Sequence, residues 1–196
     1  MKIFCDASNM HVGGGKTIIL DFISAAEKFP KINFVIFIDE RLKLKNNIKN
    51  NVEIIKVKIF LRLFISLYLR IKIVKSDCVI SLGNIPPLLN LNCYSILFMG
   101  NRYIIDSIST KSFSLKTRLR INIERILFFL FKKNVNEIFV QSKSMKEILE
   151  KKIKKSQKSK IFPFINNEYN YEKFALNSCL YDFIYIANDD PHKNHK

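Results

Sequence analysis

Glycine is scarce in this chain, five in 196 residues, and three of the five stand together as Gly13-Gly14-Gly15. They lie between an apolar strand-like run, Lys2-Ile3-Phe4-Cys5-Asp6-Ala7, and an amphipathic helix-like run from about Lys16 to Lys28. Adjacent glycines let backbone amides come close to a ligand, and a helix start adds its positive dipole end. Strand, glycine turn and helix in that order make a site for a phosphate or a sugar hydroxyl, although a tight turn without ligand uses the same residues.

The other two glycines fall in comparable places. Gly83-Asn84-Ile85-Pro86-Pro87 and Gly100-Asn101-Arg102-Tyr103 each follow an apolar run, so all five glycines sit in three short loops after strands. The turns at the opposite strand ends manage without glycine, which points to a functional rim. Gly15-Lys16-Thr17 imitates a P-loop and Asp39 a metal-binding acid, but the P-loop spacing needs glycine where this chain has Met10. His192 and His195 are an i, i+3 pair with no positioned third ligand, and no metal site is expected. Asp6, Asp39, Glu40 and Asp106 offer acid or base chemistry, yet nothing in the spacing pairs two of them.

Strand-length apolar runs alternate with longer periodic segments and so place these loops. Further strands are expected at 33–38, 52–57, 77–82, 94–99 and 137–141, and helices near 60–74, 115–132 and 143–155, with Ser142 as an N-cap. Near-continuous apolar strands between helices indicate a parallel α/β sheet with helices on both faces, Rossmann-like, whose strand ends supply the ligand crevice. After a short strand at 161–165 comes a polar stretch, then Phe183-Ile184-Tyr185-Ile186-Ala187. The expected division is a domain over 1–165, a linker over 166–181 and the start of a second domain over 182–196.

The charge is lopsided, 33 Lys and Arg against 17 Asp and Glu. Such a surface attracts polyanions. The cations are scattered and no helix-turn-helix, zinc or RNA-binding pattern is present, so nucleic acid is not the expected partner. In the 115–132 helix, Leu115, Leu119, Ile123, Ile126 and Leu130 are expected to face the sheet. Arg118, Ile121, Arg125, Phe128 and Lys132 then form an outer face suited to anionic lipid, beside the Arg-flecked segment Ile59 to Val74. Cys5, Cys78, Cys93 and Cys179 lack metal or disulfide spacing and read as small buried hydrophobes in a reducing compartment. Without a signal-peptide pattern or a bilayer-length apolar run, the expected location is cytoplasmic, peripheral at the inner face of the cell membrane.

Together, Gly13-Gly14-Gly15 after the first strand, Asp77 to Pro87, Val140 to Met145, and Tyr185-Ile186-Ala187 followed by Pro191-His192-Lys193-Asn194 resemble bacterial family-4 glycosyltransferases of the two-domain GT-B type. The likeness spans essentially the whole chain. It implies retaining transfer from a nucleotide sugar, without a further cofactor, to a lipid-linked saccharide acceptor in surface polysaccharide, lipopolysaccharide or O-antigen-type assembly. By position, Gly13, Gly14, Gly15 and Lys16 would be the cleft loop facing the donor phosphates. Asn84, Pro86, Asn101 and Arg102 would line the acceptor side, and Ser142, His192 and Lys193 the cleft between domains. The resemblance puts the donor-binding residues in the second domain, so this chain alone is expected to be inactive. The competing reading is a non-catalytic basic domain that binds anionic membrane or nucleic acid.

Overall fold

A computed structural model describes residues 1–44, 48–153 and 157–162. The expected linker, the second-domain start, Cys179, His192 and Lys193 lie outside the described residues. Seven strands form one sheet: β1 (Lys2–Ala7), β2 (Asn33–Asp39), β3 (Val52–Val57), β4 (Cys78–Ser81), β5 (Tyr94–Met99), β6 (Glu137–Val140) and β7 (Lys158–Ile161). Every pairing is parallel and the order is β3-β2-β1-β4-β5-β6-β7. The expected α/β class with a Rossmann-like parallel sheet is therefore what the chain adopts. The last strand comes earlier than the apolar pattern suggested, because Lys158 to Ile161 extends the ladder beside β6.

The period-2 alternation of each strand sends its residues to two cores. Cys5, Ala7, Ile36 and Ile38 pack with Ile19, Ile23 and Ala26 of α1 (Gly13–Ala26) on one face. On the other face, Phe4, Val35, Phe37 and Val79 pack with Ile65 and Leu69 of α2 (Ile65–Lys72), which continues a 3₁₀ turn over Ile59–Phe64. Further along that second face, Leu97, Met99, Ile138 and Val140 meet α3 (Arg102–Ile105), α4 (Leu115–Phe131) and α5 (Lys143–Glu150). The strand register proves that the two clusters share a side: Val79 and Ser81 point alike, and Ser81 is aligned with Leu97.

The two faces of α4 are reversed from the sequence expectation. Ile121 and Phe128 are buried at 2% and 0% exposure, while Leu115, Leu119, Ile123, Ile126 and Leu130 point outward. Arg125 is no lipid-facing cation either. Its Nε donates to the Tyr103 carbonyl at 2.7 Å and its Nη2 to the Asp106 carbonyl at 3.1 Å, tying α4 to α3. Lys132 donates to the Lys152 carbonyl and lies 4.9 Å from the centre of the Phe129 ring. Arg118 is partly exposed.

Candidate functional site

In the order 3-2-1-4-5-6-7 the connections reverse direction between β1 and β4, and a crevice opens beyond the strand ends at such a switch point. The three glycine loops meet there. A crevice of about 340 Å³ is bounded by Gly14 and Gly15, by Asn84, by Gly100 and Asn101, and by Gln141 after β6. Asn9, Met10 and His11 complete the wall beside α1, and the buried Phe98 ring lies beneath it.

Asparagines build this rim. Asn9 Nδ2 donates to the Gly83 carbonyl at 2.6 Å, joining the loop after β1 to the loop after β4. A Cβ on Gly83 would overlap the Asn9 side-chain amide, so a side chain there must displace that amide from its hydrogen bond. Asn84 has φ +67°, a conformation Asn adopts more readily than most residues, and its side chain binds the next loop in turn. Asn101 caps α3, accepting the Tyr103 N–H at 3.1 Å.

The glycine run is the first turn of α1 and not a separate loop before it, since the helix starts at Gly13. Gly13 takes φ +55°, and a Cβ on Gly13 or Gly14 would meet open space. Val12 precedes the helix in extended conformation, and no side chain caps it. The first-turn amides thus present their N–H groups at the crevice edge, with the dipole adding positive potential. Lys16 is exposed in the same turn but does not line the crevice.

The remaining expected site residues divide. Pro86 borders a smaller adjoining pocket of about 60 Å³, with Asp6, Ser8, Arg62 and Ser66. Arg102 pairs with Asp106 at 2.8 Å instead of facing the crevice. Ser142 caps α5, accepting the Met145 N–H at 3.3 Å, and its neighbour Gln141 is the residue that reaches the crevice.

One residue, and the partners of another, escaped the sequence reading. Glu124 of α4 lines the crevice with a side chain only 13% exposed, and its ion-pair partner Arg120 stands 3.9 Å away on the previous turn. Burial pushes the Glu124 carboxyl above its ordinary range, against the pull of Arg120. A buried carboxylate so weakly neutralised, facing a cleft of amides, is equipped to accept a hydrogen bond from a hydroxyl. A signal was available in the sequence: Glu124 is the single acid between residues 107 and 136.

The partners are those of Asp39, in a cluster at the end of β2. Arg41 donates Nε to Asp39 Oδ1 at 2.8 Å and Nη2 to Asp39 Oδ2 at 2.7 Å, a bidentate pair, and Arg62 binds the same carboxylate. His11 Nδ1 lies 3.4 Å from Asp39 Oδ2. The hydrogen bond from Arg41, helped by the Arg62 charge, holds the Asp39 carboxyl down at about 2 despite its burial. Asp6 behaves oppositely: burial raises it, and hydrogen bonds from Ser8 only partly offset that. The Arg62 Nε–H is buried beside the small pocket without a hydrogen-bond partner among the described residues. Among the described residues, no helix is long and apolar enough to cross a membrane. No protein-family model matches the chain, and no curated protein is similar enough to count as a relative.

Proposed function

We propose that this chain contributes the acceptor-side domain of a retaining, nucleotide-sugar-dependent glycosyltransferase that builds a bacterial surface polysaccharide on a lipid-linked saccharide. The observation that carries the reading is the convergence of the three glycine loops on one amide-rich crevice at the switch point, beside an uncapped helix start. Asn9, Asn84, Asn101 and Gln141 bring side-chain amides that both donate and accept, as sugar hydroxyls demand. Glu124 orients one acceptor hydroxyl by accepting its proton in a hydrogen bond. The first-turn N–H groups of α1 suit the donor phosphates. The same site does not need a metal for either task, so none is assigned.

Mass-detected transfer from a panel of nucleotide sugars to a polyprenyl-pyrophosphate-linked saccharide, by this domain joined to a donor-binding domain, tests the activity. Amide chemical-shift perturbation at Gly14, Gly100 and Gln141, on addition of nucleotide or saccharide, tests the site itself. Product that vanishes in Glu124→Gln, with shifts confined to the crevice, is the expected result. No product with any donor and no perturbation at these amides would end the proposal.

A further inference from the structure

The largest departure from an ordinary water-facing surface lies away from the crevice. On α4, Leu119, Ile126 and Leu130 are 62%, 59% and 59% exposed. On the 3₁₀ turn and α2, Phe60, Phe64 and Ile71 are 64%, 60% and 73% exposed. Both elements pack on the same face of the sheet, so their outward sides look to the same flank of the molecule. Side chains of this size left in water on two elements of one sheet face mark an interaction surface.

Charge identifies what the surface takes. Residues 56–75 hold six Lys and Arg and no acid, and residues 111–133 hold seven Lys and Arg with Glu124 as the only acid. Glu124 is turned into the crevice, and Arg62, Arg125 and Lys132 are held by Asp39 and by backbone carbonyls, so the other lysines and arginines of the two segments supply the charge beside the apolar side chains. We infer that the outer faces of the 59–72 segment and of α4 dock together on an anionic lipid bilayer, with apolar side chains at the acyl boundary and cations among the headgroups. The docking face is thus the side of α4 opposite to the Ile121 and Phe128 side that the sequence suggested. This inference stands apart from sugar transfer: it uses no crevice residue, and a binding domain without catalysis would dock in the same way.

Vesicle flotation of the full chain tests it, with phosphatidylcholine alone and with an equal mixture of phosphatidylcholine and phosphatidylglycerol. Binding is expected to the mixed vesicles and to be weak on the neutral ones. Leu119→Glu with Ile126→Glu, and separately Phe60→Glu with Ile71→Glu, should each lower the partition by about tenfold or more. All four positions are exposed, so thermal melts should match the parent. Lys31→Glu changes the net charge by the same amount at an exposed site on the β1–β2 connection, and should retain binding. Absence of flotation, loss in Lys31→Glu as large as in the apolar variants, or retention in both apolar variants would overturn the docking face. So would a lipid-free dimer that the same apolar variants dissociate, which would assign the face to a second copy of the chain.

Discussion

The side-chain oxygen of Asn84 accepts the backbone N–H of Gly100 at 2.7 Å and, on the same atom, the N–H of Asn101 at 3.0 Å. One residue in a left-handed conformation therefore ties the loop after β4 to the loop after β5. Asn84→Asp keeps the acceptor and tolerates the conformation, and should stay near parental stability. Asn84→Gly keeps only the backbone freedom and should lose about 1–2 kcal/mol for the two hydrogen bonds. Asn84→Ala loses the bonds and adds strain of roughly 1 kcal/mol, so it should be the least stable. Urea denaturation of the three variants checks the order Asp, Gly, Ala.

Gly83 and Asn9 form the companion clasp. A methyl group on Gly83 has no room while the Asn9 amide holds the Gly83 carbonyl. Gly83→Ala should cost about 1–3 kcal/mol through this overlap. Truncating Asn9 to Ala in the same protein removes the obstacle, so the double variant should be more stable than the sum of the single losses predicts. A double-mutant cycle reads the coupling, and strict additivity would show that the overlap is not the cause.

The parallel sheet and the meeting of the glycine loops were legible because strand alternation and glycine placement are local signals. The facing of α4 was not. Leu115, Leu119, Ile123, Ile126 and Leu130 make a longer apolar stripe than Ile121 and Phe128, and a hydrophobic pattern assigns the longer stripe to the core. The chain instead buries the short stripe, and Arg125 on that side is satisfied by carbonyls of the 103–108 segment. Asp39 was visible as a carboxylate, but its partner Arg62 lies 23 positions later, beyond β3, and only the fold brings them together. Glu124 was overlooked because it stands alone among apolar residues, where spacing offers no partner carboxylate.

The reversal in α4 can be measured. Phe128→Ala empties a fully buried ring site and should cost about 3–5 kcal/mol. Leu130→Ala, on the exposed side, should change stability by no more than about 0.5 kcal/mol. Equal losses would mean that both sides of the helix are packed.

Acid should unclasp the end of β2. The Asp39 carboxyl sits at about 2 in the fold against an ordinary 3.8, so its contribution is complete above 3.8 and is lost as pH falls through 2. The difference corresponds to stability on the order of 2 kcal/mol. Asp39→Asn should be less stable at neutral pH, since it leaves Arg62 without its carboxylate, and its stability should fall less between pH 4 and pH 2. Parallel acid titrations that fall together would place the acid sensitivity elsewhere.

Glu124 should show the opposite dependence, and with it a conflict between folding and function. Burial raises its carboxyl in the fold, so the protonated form is the better tolerated one and the fold is penalised as pH rises through the unfolded value and on through the raised one. Glu124→Gln keeps the shape and removes the charge that must be buried. It should therefore raise the thermal midpoint at neutral pH and leave stability at pH 4 nearly unchanged. A carboxylate retained at a cost in stability is what a binding group looks like, because a structural residue would have no reason to carry the charge. Saccharide binding at the crevice amides should weaken in the same variant that melts higher. If Glu124→Gln melts lower at neutral pH, the carboxylate serves the fold through Arg120, and its assignment to the acceptor hydroxyl fails.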